Sequence, residues 1–533
     1  MIALFLLLTT AQALGAEPGA DIKINAIAVE PGNVFDPSIP SESWWLFRGA
    51  NALHTTTRAG VIKRELLFKE GDPFNADLMT ESERNLRRLD FLRHVEISVS
   101  TLAGGPKNVA VKTRDAWTLE PQADFSRVGG KNSWKIGVVD RNFAGQGKSL
   151  SAFYHNGITQ NTNAVFYRDK QFLNTHLDFS AGVDVQDNSR QYGVSLKRPF
   201  YATITPYSAG GSANVKEENL PLYSGGVEIG RFKKIHREAA LSYGRSISPS
   251  VATTRQTTLT LRRAREDFEP IDASPANILP AGNDTGIIEI NGGWQKIEFI
   301  KERHIQKFDR DEDYNLGPGV SLALGIGPKW LGTSSSQILP SASARAGRSW
   351  GRGHFAFIET KAGSRILKER TNNLVWSTKA QHYYQRRPNQ TFAIHVAYAH
   401  GYRLDQDHLL TLGDDSGLHG YAIGQFAGDR RLLVNLENRL FFADDVFHLM
   451  SFGGVIFFDS GNAWTGDRPG GFLGLKNAVG VGLRIAPSRS TRNEPISIDF
   501  AYALNDNLKG SRLVVSITSG FHFGEPISFV GAQ

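Results

Sequence analysis

Residues 176–185 alternate without a break. Leu177, Phe179, Ala181, Val183 and Val185 fall on one side, and His176, Asp178, Ser180, Gly182 and Asp184 on the other. A period of two belongs to a β-strand, because successive side chains leave opposite faces. The pattern returns along the chain. Ile496, Ile498, Phe500 and Tyr502 oppose Ser497, Asp499 and Ala501. Leu432, Val434, Leu436 and Leu440 oppose Asn435, Glu437 and Arg439. Leu513, Val515, Ile517, Phe521 and Phe523 oppose Arg512, Ser516, Thr518 and His522. Strands with one apolar and one polar face build transmembrane barrels. A soluble sandwich also alternates, with its apolar faces turned inward, and alternation alone does not tell inward from outward. Two features favour the barrel. The pattern occupies most of residues 116–523, more strand than one sandwich needs. The connections are also unequal. Short turns such as Gly145-Gln146-Gly147 contrast with long polar stretches at 264–285 and 301–315, as in barrels with turns at one end and loops at the other.

Hydrophobic residues are 40% and charged residues 21% of the chain, too polar for a bundle of membrane helices. The 54 Gly and 32 Phe suit a barrel with a polar lumen and an apolar outer face. There is no Cys, which removes disulfides and thiol chemistry. The net charge of +7 is mild for this length and fits a solvated surface or contact with anionic lipid. The apolar run from Ile2 to Leu8, followed by Ala11-Gln12-Ala13, reads as a signal peptide over residues 1–16, cleaved after Ala13 or Ala16. Met1-Ile2-Ala3 lacks the usual positive n-region, which an upstream start would supply. Further on, no stretch approaches the ~20 apolar residues of a spanning helix. In lipid, only helices and closed barrels satisfy every backbone group.

Residues 21–115 read as a small α+β domain. Ile22, Ile24, Ala26 and Ala28 mark a strand, and residues 33–57, with Trp44, Trp45 and Phe47, read as irregular. Val61, Ile62, Glu65 and Leu66 mark a short helix, broken by Gly71-Asp72-Pro73. Asn75 is placed to cap a second helix carrying Leu78, Leu86 and Leu89. Val95, Ile97 and Val99 form a strand, Gly104-Gly105 a turn, and Val109 with Val111 the return strand. The paired tryptophans either face a membrane surface or cap the core, and we expect the core.

In this order of elements, Ile62-Lys63-Arg64-Glu65-Leu66-Leu67-Phe68-Lys69-Glu70-Gly71-Asp72-Pro73-Phe74 and then Leu86-Arg87-Arg88-Leu89-Asp90-Phe91-Leu92-Arg93-His94-Val95 resemble a POTRA domain. The resemblance implies a periplasmic module that receives extended chains by adding them to a strand edge. The plain alternative is a spacer that stiffens the barrel entrance.

The barrel region resembles the BamA/TamA family of outer-membrane assembly and transport barrels. Gly137-Val138-Val139-Asp140-Arg141-Asn142-Phe143-Ala144-Gly145-Gln146-Gly147 looks like its early hairpin. Gly417-Leu418-His419-Gly420-Tyr421 stands where the family has Val-Arg-Gly-Phe/Tyr. Val434-Asn435-Leu436-Glu437-Asn438-Arg439 follows like its next strand, and Phe457-Phe458-Asp459-Ser460-Gly461 matches its Phe-x-Asp-x-Gly strand. The resemblance implies a mostly β protein: an antiparallel transmembrane barrel of about 16 strands over residues 116–523, one POTRA-like domain before it, and a tail at 524–533. It implies a lumen loop locked onto Asp459 and Gly461. His419 takes the place of the family arginine, so the lock has two candidate forms: His419 with Asp459, or packing of His419 while Glu437 or Arg439 holds the loop. The implied seam joins strands near 118–127 and 512–523. Pro121 lacks a ladder donor in the first. Phe521 and Phe523 close the second, where the family ends on an aromatic.

The implied activity is insertion or translocation of polypeptides at the outer membrane of a Gram-negative cell. The POTRA-like domain receives cargo, and a weak seam opens. Unfolded outer-membrane or secreted polypeptides, outer-membrane lipid, and periplasmic chaperones or accessory proteins are the implied partners. The alternatives are a dedicated secretion pore of the two-partner type, or a lipid-handling or structural barrel. Enzyme signatures are lacking. The 14 His are scattered without the i, i+4 spacing and Glu of a zinc helix, and Gly-x-Ser-x-Gly does not occur. No cofactor is expected. Basic residues lie along polar faces rather than in one patch, so nucleic acid is not an expected partner.

Overall fold

A computed structural model of the chain describes residues 22–519, apart from 102–105, 129–130, 157–160, 188, 225–226, 272–281, 368–369, 405–409, 423, 467–473, 492–494 and 506–512. The expected signal peptide at 1–16, Phe521, Phe523 and the expected tail at 524–533 lie outside the described residues.

The front domain runs β1 (Ile24–Gly32), α1 (Trp45–Leu53), α2 (Ala59–Glu65), α3 (Ala76–Arg87), β2 (Leu92–Thr101) and β3 (Lys107–Asp115). β3 is central, parallel to β1 and antiparallel to β2. The sheet and helices share a core of Ile24, Val61, Ile62, Phe68, Leu86, Leu89, Phe91, Val95, Val109 and Val111. Asn75 caps α3 as expected: its side chain accepts from the backbone N–H groups of Asp77 and Leu78. Met79, one residue beyond the expected Leu78, supplies the buried contact of the first turn. Two expectations fail in the stretch read as irregular. Residues 45–53 form α1, and Trp44 and Trp45 do not cap the core, being 57% and 64% exposed. Phe47 fills that place, stacked on Phe35 at 4.4 Å between ring centroids.

Behind the domain, twenty strands among the described residues close into a barrel. Each pairs antiparallel with its chain neighbour, from Leu119–Val128 onward, and the ring closes between that strand and Leu513–Ser519. The ring is larger than the 16 strands implied by resemblance. The stretch 264–285, read as a loop, is in part strand. Strands Thr253–Ile271 and Asn283–Lys296 run into it from both sides and pair Ala264 with Thr285 and Glu266 with Asn283.

The direction of the apolar faces is now fixed. Leu241 is 65% and Leu322 60% exposed on the outer wall, whereas Asn435 is fully buried and Asp499 1% exposed on the inner one. An outer wall of Leu, Ile and Val over a polar lumen is stable only in lipid, so this barrel crosses a membrane with its strands.

Both ends of the barrel are built differently. At the end nearest the front domain, short turns pack onto that domain. Gly145, at φ +67°, lies so near the Thr56 carbonyl that a Cβ would sit 2.4 Å from its oxygen, and Arg58 N–H donates to the Gly145 carbonyl at 2.9 Å. Gln171 accepts from Arg64 Nε at 2.7 Å, and Thr203 donates to Glu81 at 2.6 Å.

The polar stretch 301–315 also lies at this end, contrary to its reading as a loop opposite the short turns. It forms a small hairpin, Phe299–Glu302 with Glu312–Asn315. Arg87 of α3 grips Asp313 with two hydrogen bonds of 2.9 Å. The hairpin tip turns inward, burying Ile305 against Phe355 and Tyr383 of the wall.

Candidate functional site

The segment between strands Gln390–Tyr402 and Arg430–Val446 enters the lumen from the far end. A short hairpin, Leu410–Leu412 with Phe426–Gly428, forms its stem. The tip carries Gly417-Leu418-His419-Gly420-Tyr421. Gly417 and Gly420 adopt φ of +98° and +83°, conformations that cost glycine little. Gly420 also approaches the wall closely, where a Cβ would lie 3.3 Å from the Ala503 nitrogen and 3.6 Å from Ala501. Leu418 and Tyr421 pack against Ala478 and Ala503, and Gly461 leaves room for Leu412.

His419 and Asp459, one of the two candidate forms of the lock, are in contact. The imidazole Nδ1 lies 2.7 Å from Asp459 Oδ2, and the His419 backbone N–H donates to the same oxygen at 3.2 Å. The other oxygen, Oδ1, accepts from Asn435 Nδ2 at 2.6 Å, and Asn435 also donates to the Gly417 carbonyl at 2.7 Å. A carboxylate that an arginine fork would fill with two nitrogens is filled here by two residues. Sequence reading placed Asn435 only on a polar strand face. Its neighbourhood to Asp459 follows from the register, which pairs Asn435 with Asp459 directly.

Burial pushes the His419 imidazole toward neutrality. The hydrogen bond and charge of Asp459, with the carboxylates of Asp414 and Asp499 behind it, outweigh burial and raise it to about 9. Asp499 is itself paired with Arg484 at 2.7 Å. The imidazole is therefore cationic at neutral pH, which restores the charge that the arginine's replacement removes.

Further bonds spread the loop across the wall. Tyr421 donates to the Asn477 carbonyl at 2.8 Å, and Asp414 accepts from Ser516 Oγ at 2.7 Å. Ser516 belongs to the last strand, so the loop is bonded to one side of the barrel's closure.

Glu437 and Arg439, the alternative lock, hold something else. Arg439 donates from Nε to Glu437 at 2.7 Å and from Nη1 to the Ile305 carbonyl at 2.7 Å. They fasten the tip of the 299–315 hairpin, which enters from the end nearest the front domain. One strand thus serves two insertions from opposite ends: Asn435 bonds the loop, and Arg439, two turns of the alternation away, bonds the hairpin.

Pro121 lies in the first strand opposite Val138. Below it, Trp117 bridges to Ser490, and buried Glu120 accepts from Thr491 Oγ1 at 2.6 Å and from Ser490 Oγ. The base of the first strand is therefore stapled to the turn ahead of the penultimate strand, beneath the closure. In the front domain, β2 is an edge strand. The opposite edge, β1, is partly used, since Gly71 and Phe74 bond to the backbone of Ile24 and Ile22. Glu42, Asp445 and His448 converge nearby, but the Arg489 guanidinium already sits among them, 2.9 Å from Glu42.

Residues 47–114 match the POTRA family model, described as a surface antigen variable number repeat. No curated protein matches the chain in sequence. Among solved structures, CdiB from Escherichia coli is similar at 12% identity and a TM-score of 0.48, over 97% of this chain and 93% of that one. CdiB from Acinetobacter baumannii matches at 13% and 0.44 over 93% and 73%. BamA from Haemophilus ducreyi lacking POTRA domains 1–3 matches at 13% and 0.38 over 94% and 84%. A matched POTRA segment in front of a closed membrane barrel gives this chain the POTRA-plus-barrel arrangement.

Proposed function

We propose that this chain sits in the outer membrane of a Gram-negative cell and helps polypeptide segments enter or cross it, by binding and geometry and without a covalent step. The front domain receives an extended segment along the edge of β2, whose unpaired backbone groups template an added strand. The segment then meets the closure between Leu119–Val128 and Leu513–Ser519. The observation that carries this reading is the Asp414–Ser516 bond, because it couples the position of the lumen loop to the last strand. Release of the loop frees one side of the closure, and a freed strand edge pairs with a new strand. Lipid and periplasmic accessory proteins are the further partners of this reading.

The test is a cysteine pair across the closing strands, one in Leu119–Val128 and one in Leu513–Ser519. Insertion or export activity should stop when the disulfide forms and return on reduction. Full activity in the oxidised protein would falsify lateral opening. A second reading is a dedicated secretion pore, favoured by a lumen entered from both ends by separately latched elements, the 299–315 hairpin and the loop carrying His419, as a gated conduit requires. Single-channel conductance separates the two: a conduit opens wide when both latches are cut, whereas a lateral gate does not need to.

A further inference from the structure

The apolar face of α1 has no place in the mechanism above. Trp45, Leu46, Gly49 and Leu53 follow one another at helical spacing and form one stripe. All four are exposed, Leu53 by 83%. The opposite face is fully engaged: Phe47 is buried against Phe35, and Asn51 exchanges hydrogen bonds with the Phe35 backbone at 3.1 and 2.7 Å. The stripe is therefore a rigid surface.

Its position says what covers it. The stripe borders a groove whose other wall is the barrel rim, made by Leu449, Pro487 and Trp117. Phe47 meets His448 of the same rim at 5.8 Å. Next along that rim, Phe442 and Phe447 point outward, 61% and 85% exposed, and farther round stand Trp350 and Tyr384. Barrels carry aromatic girdles where their wall leaves the lipid core. The stripe on α1 continues this girdle off the barrel and onto the front domain. Exposed Arg48 flanks it, placed to meet lipid phosphates.

We infer that α1 is an interfacial helix, its Trp45–Leu46–Leu53 face sunk into the periplasmic leaflet of the membrane that holds the barrel. A short helix fastened to its own domain on one face and apolar and exposed on the other lies in this plane. The helix thereby fixes the front domain against the lipid beside the closure. The inference rests on the barrel being in a membrane and is independent of what the barrel carries.

The chain has no cysteine, so single labels report cleanly. Leu46→Cys and Leu53→Cys are labelled with bimane in the full chain, reconstituted in phosphatidylethanolamine–phosphatidylglycerol vesicles. Leu241→Cys on the outer wall is the lipid control and Lys69→Cys, exposed on the front domain, the aqueous one. Phospholipid spin-labelled high on the acyl chain should quench positions 46 and 53 several-fold more than 69, while iodide quenches them less. Quenching at 46 and 53 no stronger than at 69, with 241 quenched, overturns the inference and leaves the barrel standing. Protection of 46 and 53 from both quenchers also overturns it, since protein then covers the stripe. No lipid quenching even at 241 removes the inference together with the membrane barrel.

Discussion

Asp459 of the barrel wall receives His419 on one carboxylate oxygen, at 2.7 Å, and Asn435 on the other, at 2.6 Å. The lumen loop is thus locked by a divided contact, half from the loop and half from the adjacent strand. A consequence is that His419→Arg alone does not strengthen the lock. The second guanidinium nitrogen finds its oxygen already taken by Asn435. We expect His419→Arg to lower the midpoint of heat-modifiable gel mobility, and His419→Arg with Asn435→Ala to recover much of the loss. His419→Ala leaves a buried carboxylate without its cation and should cost about 3 kcal/mol. Equal midpoints for both arginine variants would show that the two residues do not share the carboxylate.

The same contact has a pH signature. The folded imidazole is raised from the ordinary 6.5 to about 9, against burial, by Asp459 with Asp414 and Asp499. A raised folded value means that the docked loop binds the proton more tightly than the released loop. Its contribution is complete below 6.5 and is lost as pH rises through about 9. The wild-type midpoint, taken relative to that of His419→Gln, should fall across that window and be flat below it. A difference that grows with pH would reverse the sign and refute the assignment.

Arg439 gives a prediction at the other end of the lumen. It is fully buried and joins Glu437 to the Ile305 carbonyl. Arg439→Met should strand Glu437 and release the hairpin tip, with a cost of about 3 kcal/mol or more. The readouts are faster protease cleavage within 303–311 and a higher open probability in planar bilayers. Glu437→Gln with Arg439→Met removes the stranded charge and should regain stability while the hairpin stays loose. Unchanged cleavage in both variants would mean that Phe355 and Tyr383 hold the hairpin unaided.

The strands were legible because a two-residue period survives any number of intervening loops: Ile498 and Phe500 face out and Asp499 faces in, as their alternation requires. The side of the membrane on which a loop emerges was not legible. It depends on the parity of all strands before it, and the polar composition of 301–315 is the same at either end. For the same reason Glu437 and Arg439 read as partners of the loop next to them in sequence, whereas Arg439 bonds Ile305, 134 residues earlier. The helix α1 escaped because its start carries no signal. Trp44 stands at its N-cap without a side-chain bond, and Gly49 interrupts its middle. The His419–Asp459 contact was legible only through resemblance to a family motif, since nothing local to either residue points to the other.

The staple beneath the closure makes the last prediction. Glu120 opens the first strand, is buried, and has Thr491 Oγ1 and Ser490 Oγ as donors. Both belong to the turn leading into Ile496–Ala503, which pairs with the last strand. The first strand is thus tied to the far side of the closure without relying on the ladder between the closing strands themselves. Thr491→Val keeps the volume and removes one donor from a buried carboxylate, at about 1–3 kcal/mol. If the closure is the working part, this variant should lower the gel-mobility midpoint and speed insertion or export, because the strands part more easily. Thr491→Ser should match wild type in both. A lower midpoint with unchanged or slower activity would separate the staple from the gate and leave it a purely structural tie.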